Sequence, residues 1–171
     1  MDGVSGPNDR KTGRPGGLNR RRRSGGVSRF PFVHLRRVRW GDSDPARIAY
    51  TARFGDFAME AIEAFFQDRL GAGFYELNLD HGIGTPFVRV EFAFRSPLTP
   101  RDTLQTEVRL QKLGGSSAHF ALTGRVGERV AFTARLVCAC VALDGAAMKP
   151  IPWPPRFRAL LEPDAAFAAG G

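Results

Sequence analysis

The chain has 171 residues, enough for one domain with a true hydrophobic core, and 43% of them are hydrophobic, which excludes a chain disordered throughout. The formal net charge is +8, but residues 1–28 hold seven basic side chains against Asp2 and Asp9, a net of +5, which leaves +3 for everything after them. No apolar run approaches the ~20 residues of a membrane span, and the N-terminus lacks the apolar stretch of a secretory signal.

Residues 1–28 are rich in Gly, Arg, Pro, Ser and Asn. They offer too little apolar surface to offset the entropy of ordering, so a disordered basic tail is predicted there. The run Arg20 to Arg23 has the charge to attract nucleic acid or an anionic surface. No interleaved aromatics or zinc ligands accompany it, so nucleic acid is not the expected partner. One folded domain is expected over 29–162, followed by a disordered C-terminal tail over 163–171.

The segment 34–40, "HLRRVRW", reads as a short strand, and the chain then turns between Gly41 and Pro45. From about Ala52 the spacing becomes helical. Phe54, Phe57, Ala58, Ala61 and Phe65 recur on one face, and Ile62 and Phe66 widen the stripe. "GAG" at 71–73 ends this helix. A loop rich in turn residues follows. Val88, Val90, Phe92 and Phe94 then alternate with Arg89, Glu91, Ala93 and Arg95, the period of a strand. A second alternation runs from Leu104 to Gln111, a hairpin turn is read at "GGSS" (114–117), and two more strands follow, the last through "RVAFTARLVCACVAL". "KPIPWPP" interrupts regular structure, and "RFRALLE" is expected to form a last helical turn. The sum is α+β: an antiparallel sheet of about five strands with one long helix on one face, the hotdog architecture.

Cys138 and Cys140 lie two residues apart, a spacing with poor disulfide geometry, and the chain has no other cysteine. They are read as small buried hydrophobes in a reducing, cytoplasmic setting. His34, His81 and His119 are scattered. His81 precedes a strand and is a surface histidine unless the loop brings it to a site.

The turn Asp42-Ser43-Asp44-Pro45 admits two readings. Such a turn commonly caps a helix through its own carboxylates. Two acids between a strand and a helix are also a possible active site. The free N–H groups of a helix's first turn carry partial positive charge and can polarise a carbonyl that the carboxylate approaches.

The segment "WGDSDPARIAYTARFGDFAMEAIEAFF" resembles the active-site segment of the 4-hydroxybenzoyl-CoA thioesterase family of hotdog proteins. "HGIGTPFVRVEFAFRSPLTPRDTL" and "KPIPWPPRFRALLE" are similar to later parts of that family, so the resemblance spans roughly 34–162. It implies an acyl-CoA thioesterase in which Asp44 is the nucleophile or general base and the Thr51 backbone N–H polarises the thioester carbonyl. Asp42 and Tyr50 are then supporting residues, and Arg47, Ile48 and Thr85 lie along the substrate. Arg47 stands where the family has glycine; it either contacts substrate or faces solvent. A related branch uses a carboxylate on the helix, for which Glu60 and Glu63 are candidates. No metal or redox cofactor is implied, since CoA is part of the substrate. The resemblance also implies a homodimer or homotetramer with the site between subunits. The competing expectation is a non-catalytic acyl-CoA-binding protein whose basic tail recruits nucleic acid or a partner.

Overall fold

The computed structural model describes residues 30–143 and 148–170. The basic tail lies outside the described residues.

Strand β1 (Phe32–Arg37) leads through a 3-10 turn (Trp40–Asp42) into helix α1 (Arg53–Leu70). Helix α2 (Phe74–His81) and the short β2 (Ile83–Gly84) follow, then β3 (Phe87–Phe94), β4 (Thr103–Leu113), β5 (Ser117–Val126) and β6 (Arg129–Ala139). The short β7 (Val141–Ala142) and β8 (Lys149–Pro150) precede helix α3 (Pro155–Ala169). The main sheet has five antiparallel strands in the order β1-β4-β5-β6-β3, and β2-β7-β8 form a small second sheet. A five-stranded sheet with the long α1 against its inner face is the hotdog arrangement expected above.

The helical stripe forms the core as its spacing predicts. Phe57, Ala58, Ala61, Ile62, Phe65 and Phe66 are fully buried. They meet inward side chains of β4, β5 and β6, among them Leu110, Phe120, Phe132 and Leu136, also buried. Phe65 and Phe66 both contact Phe120 edge-on, at centroid distances of 5.7 and 5.8 Å. Each fully buried ring contributes roughly 1.5–3 kcal/mol relative to exposure, so this stripe fixes α1 on the sheet. The helix stops at Gly71, whose φ of 73° is the left-handed conformation glycine adopts freely and whose N–H donates to Gln67 O.

Three features differ from the sequence reading. The loop after α1 contains α2, whose first turn is capped when Glu76 accepts the Gly73 N–H at 3.0 Å and whose end is set by Gly82 at φ 61°. Its only buried residue is Leu77, too little for a visible stripe. The expected disordered C-terminal tail is also corrected, because α3 continues to Ala169. Pro163 reads as a stop, but within the helix it removes one hydrogen bond, and the alanines that follow are the best helix formers. Tertiary contact does the rest: Phe157, Leu161 and Asp164 of α3 are buried.

The third difference is at β3. Its register with β6 places Val90, Phe92 and Phe94 opposite the inward Leu136, Ala134 and Phe132. Yet Val88, Val90 and Phe94 are 66%, 45% and 50% exposed. A bulge between Phe87 and Arg89 sets Phe87 opposite the buried Cys138 and throws Val88 out of the alternation, while Val90 and Phe94 are exposed because β3 is an edge strand with no neighbour beyond it among the described residues.

Candidate active site

The loop between the 3-10 turn and α1 is held at its base by backbone hydrogen bonds. Tyr50 N–H donates to Asp42 O at 2.8 Å, Asp44 N–H to Ile48 O at 3.0 Å, and Arg47 N–H to Asp44 O at 2.9 Å. Ala49 N–H donates to Leu98 O at 2.7 Å, which ties the loop to the connection after β3. Asp42, Asp44, Arg47, Ile48, Tyr50 and Thr51 therefore form one compact unit at the entrance to α1.

Arg47 sits at φ 65°, the left-handed region that costs a non-glycine residue about 1–2 kcal/mol. The turn keeps a glycine-type conformation although glycine is absent, and the Arg47 side chain is exposed. Asp44 is half-buried, and its Oδ1 accepts the Ala46 N–H at 2.8 Å, an Asx-type contact. Its other oxygen makes no hydrogen bond among the described residues. The N–H groups of Thr51 and Ala52, at the start of α1, likewise have no partner among the described residues. A carboxylate oxygen and the unpaired N–H groups of the turn leading into α1 thus occur within one loop.

Asp42 has a different environment. It is buried, and it receives Arg36 Nη1 at 2.7 Å, Arg36 Nη2 at 3.1 Å and the Arg39 N–H at 2.7 Å. Burial alone would push its carboxyl up. The hydrogen bonds and charge of Arg36 and the Arg39 N–H outweigh burial and hold it below the usual carboxylate range. Arg36 also donates Nε to Glu60 Oε2 at 2.5 Å and lies 4.2 Å over the Phe57 ring. Burial opposes its charge, but the two carboxylates raise its pKa further. Sequence reasoning did not single out Arg36, because its partners lie 6 and 24 residues away and only the fold unites them.

The remaining candidates lie elsewhere. Glu60 is held by Arg36, and Glu63 lies beside Gly73 at the junction of α1 and α2. His81 is in contact with Arg156 and Phe157 of α3. "GIGT" is a close-packed crossing: a Cβ on Gly84 would stand 2.8 Å from the Val141 side chain. Thr85 is buried just before β3. That end of β3 packs near the far end of α1, through Phe87, Phe74 and Phe66, whereas Phe94 at the other end contacts Phe54 at the start of α1. Within one chain, Thr85 and Asp44 are at opposite ends of α1. Exposed Trp40 and Tyr50 flank the loop. A shallow depression lined by Ala93, Ala121, Thr123 and Thr133 is on the outer face of the sheet, opposite α1, and carries none of these groups. Among the described residues no group of three or more His, Cys, Asp or Glu side chains could hold a metal ion, and no helix is long and apolar enough to cross a membrane.

Comparison with known proteins agrees with this architecture. A family model described as the thioesterase-like superfamily matches residues 38–161. No curated protein matches the chain. Among solved structures, a thioesterase superfamily protein from Jannaschia sp. CCS1 is 41% identical, with 79% of this chain and 93% of that chain covered and a TM-score of 0.74. A 1,4-dihydroxy-2-naphthoyl-CoA thioesterase from Synechocystis shares the fold at 19% identity and a TM-score of 0.69, covering 76% of this chain and 94% of that one. So does a 4-hydroxybenzoyl-CoA thioesterase mutant in complex with 4-hydroxybenzoyl-CoA, at 18% identity and a TM-score of 0.66, covering 75% and 96%. With the family model spanning most of the chain and the loop and helix in the expected relation, the chain belongs to the thioesterase-like superfamily.

Proposed function

We propose that this protein hydrolyses the thioester of an aromatic or medium-chain acyl-CoA. The observation that carries the reading is the Asp44 loop, in which a half-buried carboxylate with one unoccupied oxygen precedes the unpaired Thr51 N–H at the start of α1. The Thr51 N–H polarises the thioester carbonyl and stabilises the oxyanion that forms there. Asp44 attacks the carbonyl carbon, the C–S bond breaks, CoA leaves as thiolate, and water hydrolyses the mixed anhydride. In the general-base form, Asp44 takes a proton from the water that attacks directly. Both routes give the carboxylic acid and CoA thiol.

Substrate contacts are assigned to Arg47, Ile48 and Thr85, and support to Asp42 and Tyr50. No metal or redox cofactor takes part in either route. The acyl group lies against the apolar surface of Phe92 and Phe94, whose rings stack at the open edge of the sheet, with Phe94 backed by the buried Phe54 of α1. Two copies pair antiparallel through β3, as a dimer or as half of a tetramer. That pairing covers Val88, Val90 and Phe94 and brings the start of one β3 beside the end of the other. Thr85 of the second copy then approaches the Asp44 loop, so the site lies between subunits. Both thiols are buried and unpaired, which fits a reducing, cytoplasmic setting.

The test is turnover of a panel of aromatic and medium-chain acyl-CoAs by wild type and Asp44→Asn. A loss of about a hundredfold or more in kcat for the variant is expected. Turnover undiminished in Asp44→Asn would falsify the assigned role. Absence of turnover on the whole panel, with acyl-CoA binding retained, would favour a non-catalytic binding protein.

A further inference from the structure

We propose that Arg36 is a positioning residue that sets the Asp44 loop in fixed relation to the N-terminus of α1. This rests on the roles given above to Asp44 and Thr51.

Three elements meet at one guanidinium. Arg36 itself belongs to β1. Its two terminal nitrogens grip the Asp42 carboxylate, at 2.7 and 3.1 Å. Its Nε holds Glu60, two turns into α1, at 2.5 Å. The planar face rests on Phe57, also of α1, at 4.2 Å. All three faces of the fork are used, and the side chain is only 10% exposed. This geometry needs arginine, because lysine offers a single charged nitrogen and no planar fork.

Asp42 is the point through which the grip reaches the chemistry. Its backbone carbonyl accepts the Tyr50 N–H, which closes the loop immediately before Thr51. Asp44 follows two residues after Asp42. A shift of Asp42 relative to α1 therefore moves the carboxylate and the oxyanion donor with respect to each other. Reaction geometry is sensitive to such shifts, with a displacement of about 1 Å costing on the order of a hundredfold. Arg36 touches neither Asp44 nor Thr51, so its influence acts through Asp42 and Glu60.

The test compares Arg36→Met, Arg36→Lys, Arg36→Ala, Glu60→Gln and Asp44→Asn on one acyl-CoA, with kcat, KM and thermal midpoint measured for each. All three Arg36 variants should lose about tenfold to a hundredfold in kcat with KM within about threefold of wild type. Glu60 is 44% exposed and leaves the Asp42 grip intact, so Glu60→Gln should keep the wild-type midpoint and still lower kcat severalfold. Added methylguanidinium should restore part of the kcat of Arg36→Ala, a response that a purely structural role does not give. Wild-type kcat in Glu60→Gln and Arg36→Lys, or no rescue of a folded Arg36→Ala, overturns the proposal. If the Arg36 variants do not fold, Glu60→Gln decides alone. Unchanged kcat in Asp44→Asn overturns the catalytic reading and this one together. Loss in Asp44→Asn with none in the Arg36 and Glu60 variants overturns only the positioning role.

Discussion

Arg69 of α1 and Asp164 of α3 form a buried two-point ion pair, Nε to Oδ2 at 2.8 Å and Nη2 to Oδ1 at 3.0 Å. Both side chains are 5% exposed, and the Arg69 guanidinium also lies near the Phe30, Phe32 and Phe65 rings. The pair fastens the last helix to the central one. Asp164→Asn keeps the shape and removes the charge, leaving Arg69 with Asp68 on its exposed side. Breaking a buried pair on one side costs about 3–5 kcal/mol. With Asp68 retained, a loss near 3 kcal/mol in urea-unfolding free energy is expected, together with faster proteolysis within 155–169.

Arg47→Gly should stabilise the protein. The left-handed backbone at Arg47 costs about 1–2 kcal/mol, and glycine removes that strain while adding some entropy to the unfolded chain. A net gain of up to about 1 kcal/mol is expected in urea unfolding. An unchanged or lowered midpoint would show that the exposed Arg47 side chain contributes contacts that offset its backbone strain.

Gly124 lies under the Phe132 ring, and a Cβ there would stand 2.1 Å from a ring carbon. Gly124→Ala must displace Phe132, which also contacts Phe54 and Phe92. Such overpacking costs about 1–3 kcal/mol. Adding Phe132→Leu should recover part of the loss, so the double variant will be more stable than the sum of the single changes.

His34 gives the stability a dependence on pH. It is half-buried on the inner face of β1, where burial lowers its pKa below 6.5, Glu60 opposes that shift and Arg36 adds to it. The folded state therefore favours neutral imidazole. Its contribution is fully present above the unfolded value of about 6.5 and is lost as pH falls through it toward the lower folded pKa. Urea midpoints of wild type should fall between pH 7.5 and 5.5, and those of His34→Gln should fall less. Equal slopes for the two proteins would rule out His34 as the source.

Much of the architecture was legible because it depends on periodicity. The stripe from Phe54 to Phe66 and the alternation from Val88 to Arg95 each announce their element locally. The loop was legible as a unit too, since its residues are contiguous from Asp42 to Thr51. Arg36 was not, because an arginine in an alternating strand looks like any outward side chain. Only the sheet and helix together reveal that it faces inward, toward Asp42 and Glu60. Helix α2 and the last turns of α3 were missed for a related reason: few of their residues are buried, and their stability comes from a glutamate cap, glycine ends and the distant Arg69.

The two edges of the main sheet are not equivalent. On β1, a six-residue strand, the inward positions hold His34 and Arg36, polar groups that discourage a further strand. On β3, eight residues long, the outer backbone is unpaired among the described residues, beside exposed Val88, Val90 and Phe94. Of the two borders, β3 is therefore the one more open to a further strand. In the pairing proposed above, two chains that join there consume the open border of each and leave the β1 borders at the two ends. Such an antiparallel β3–β3 contact uses that border in both copies at once, so an edge that would otherwise invite open-ended growth is closed by its own symmetry.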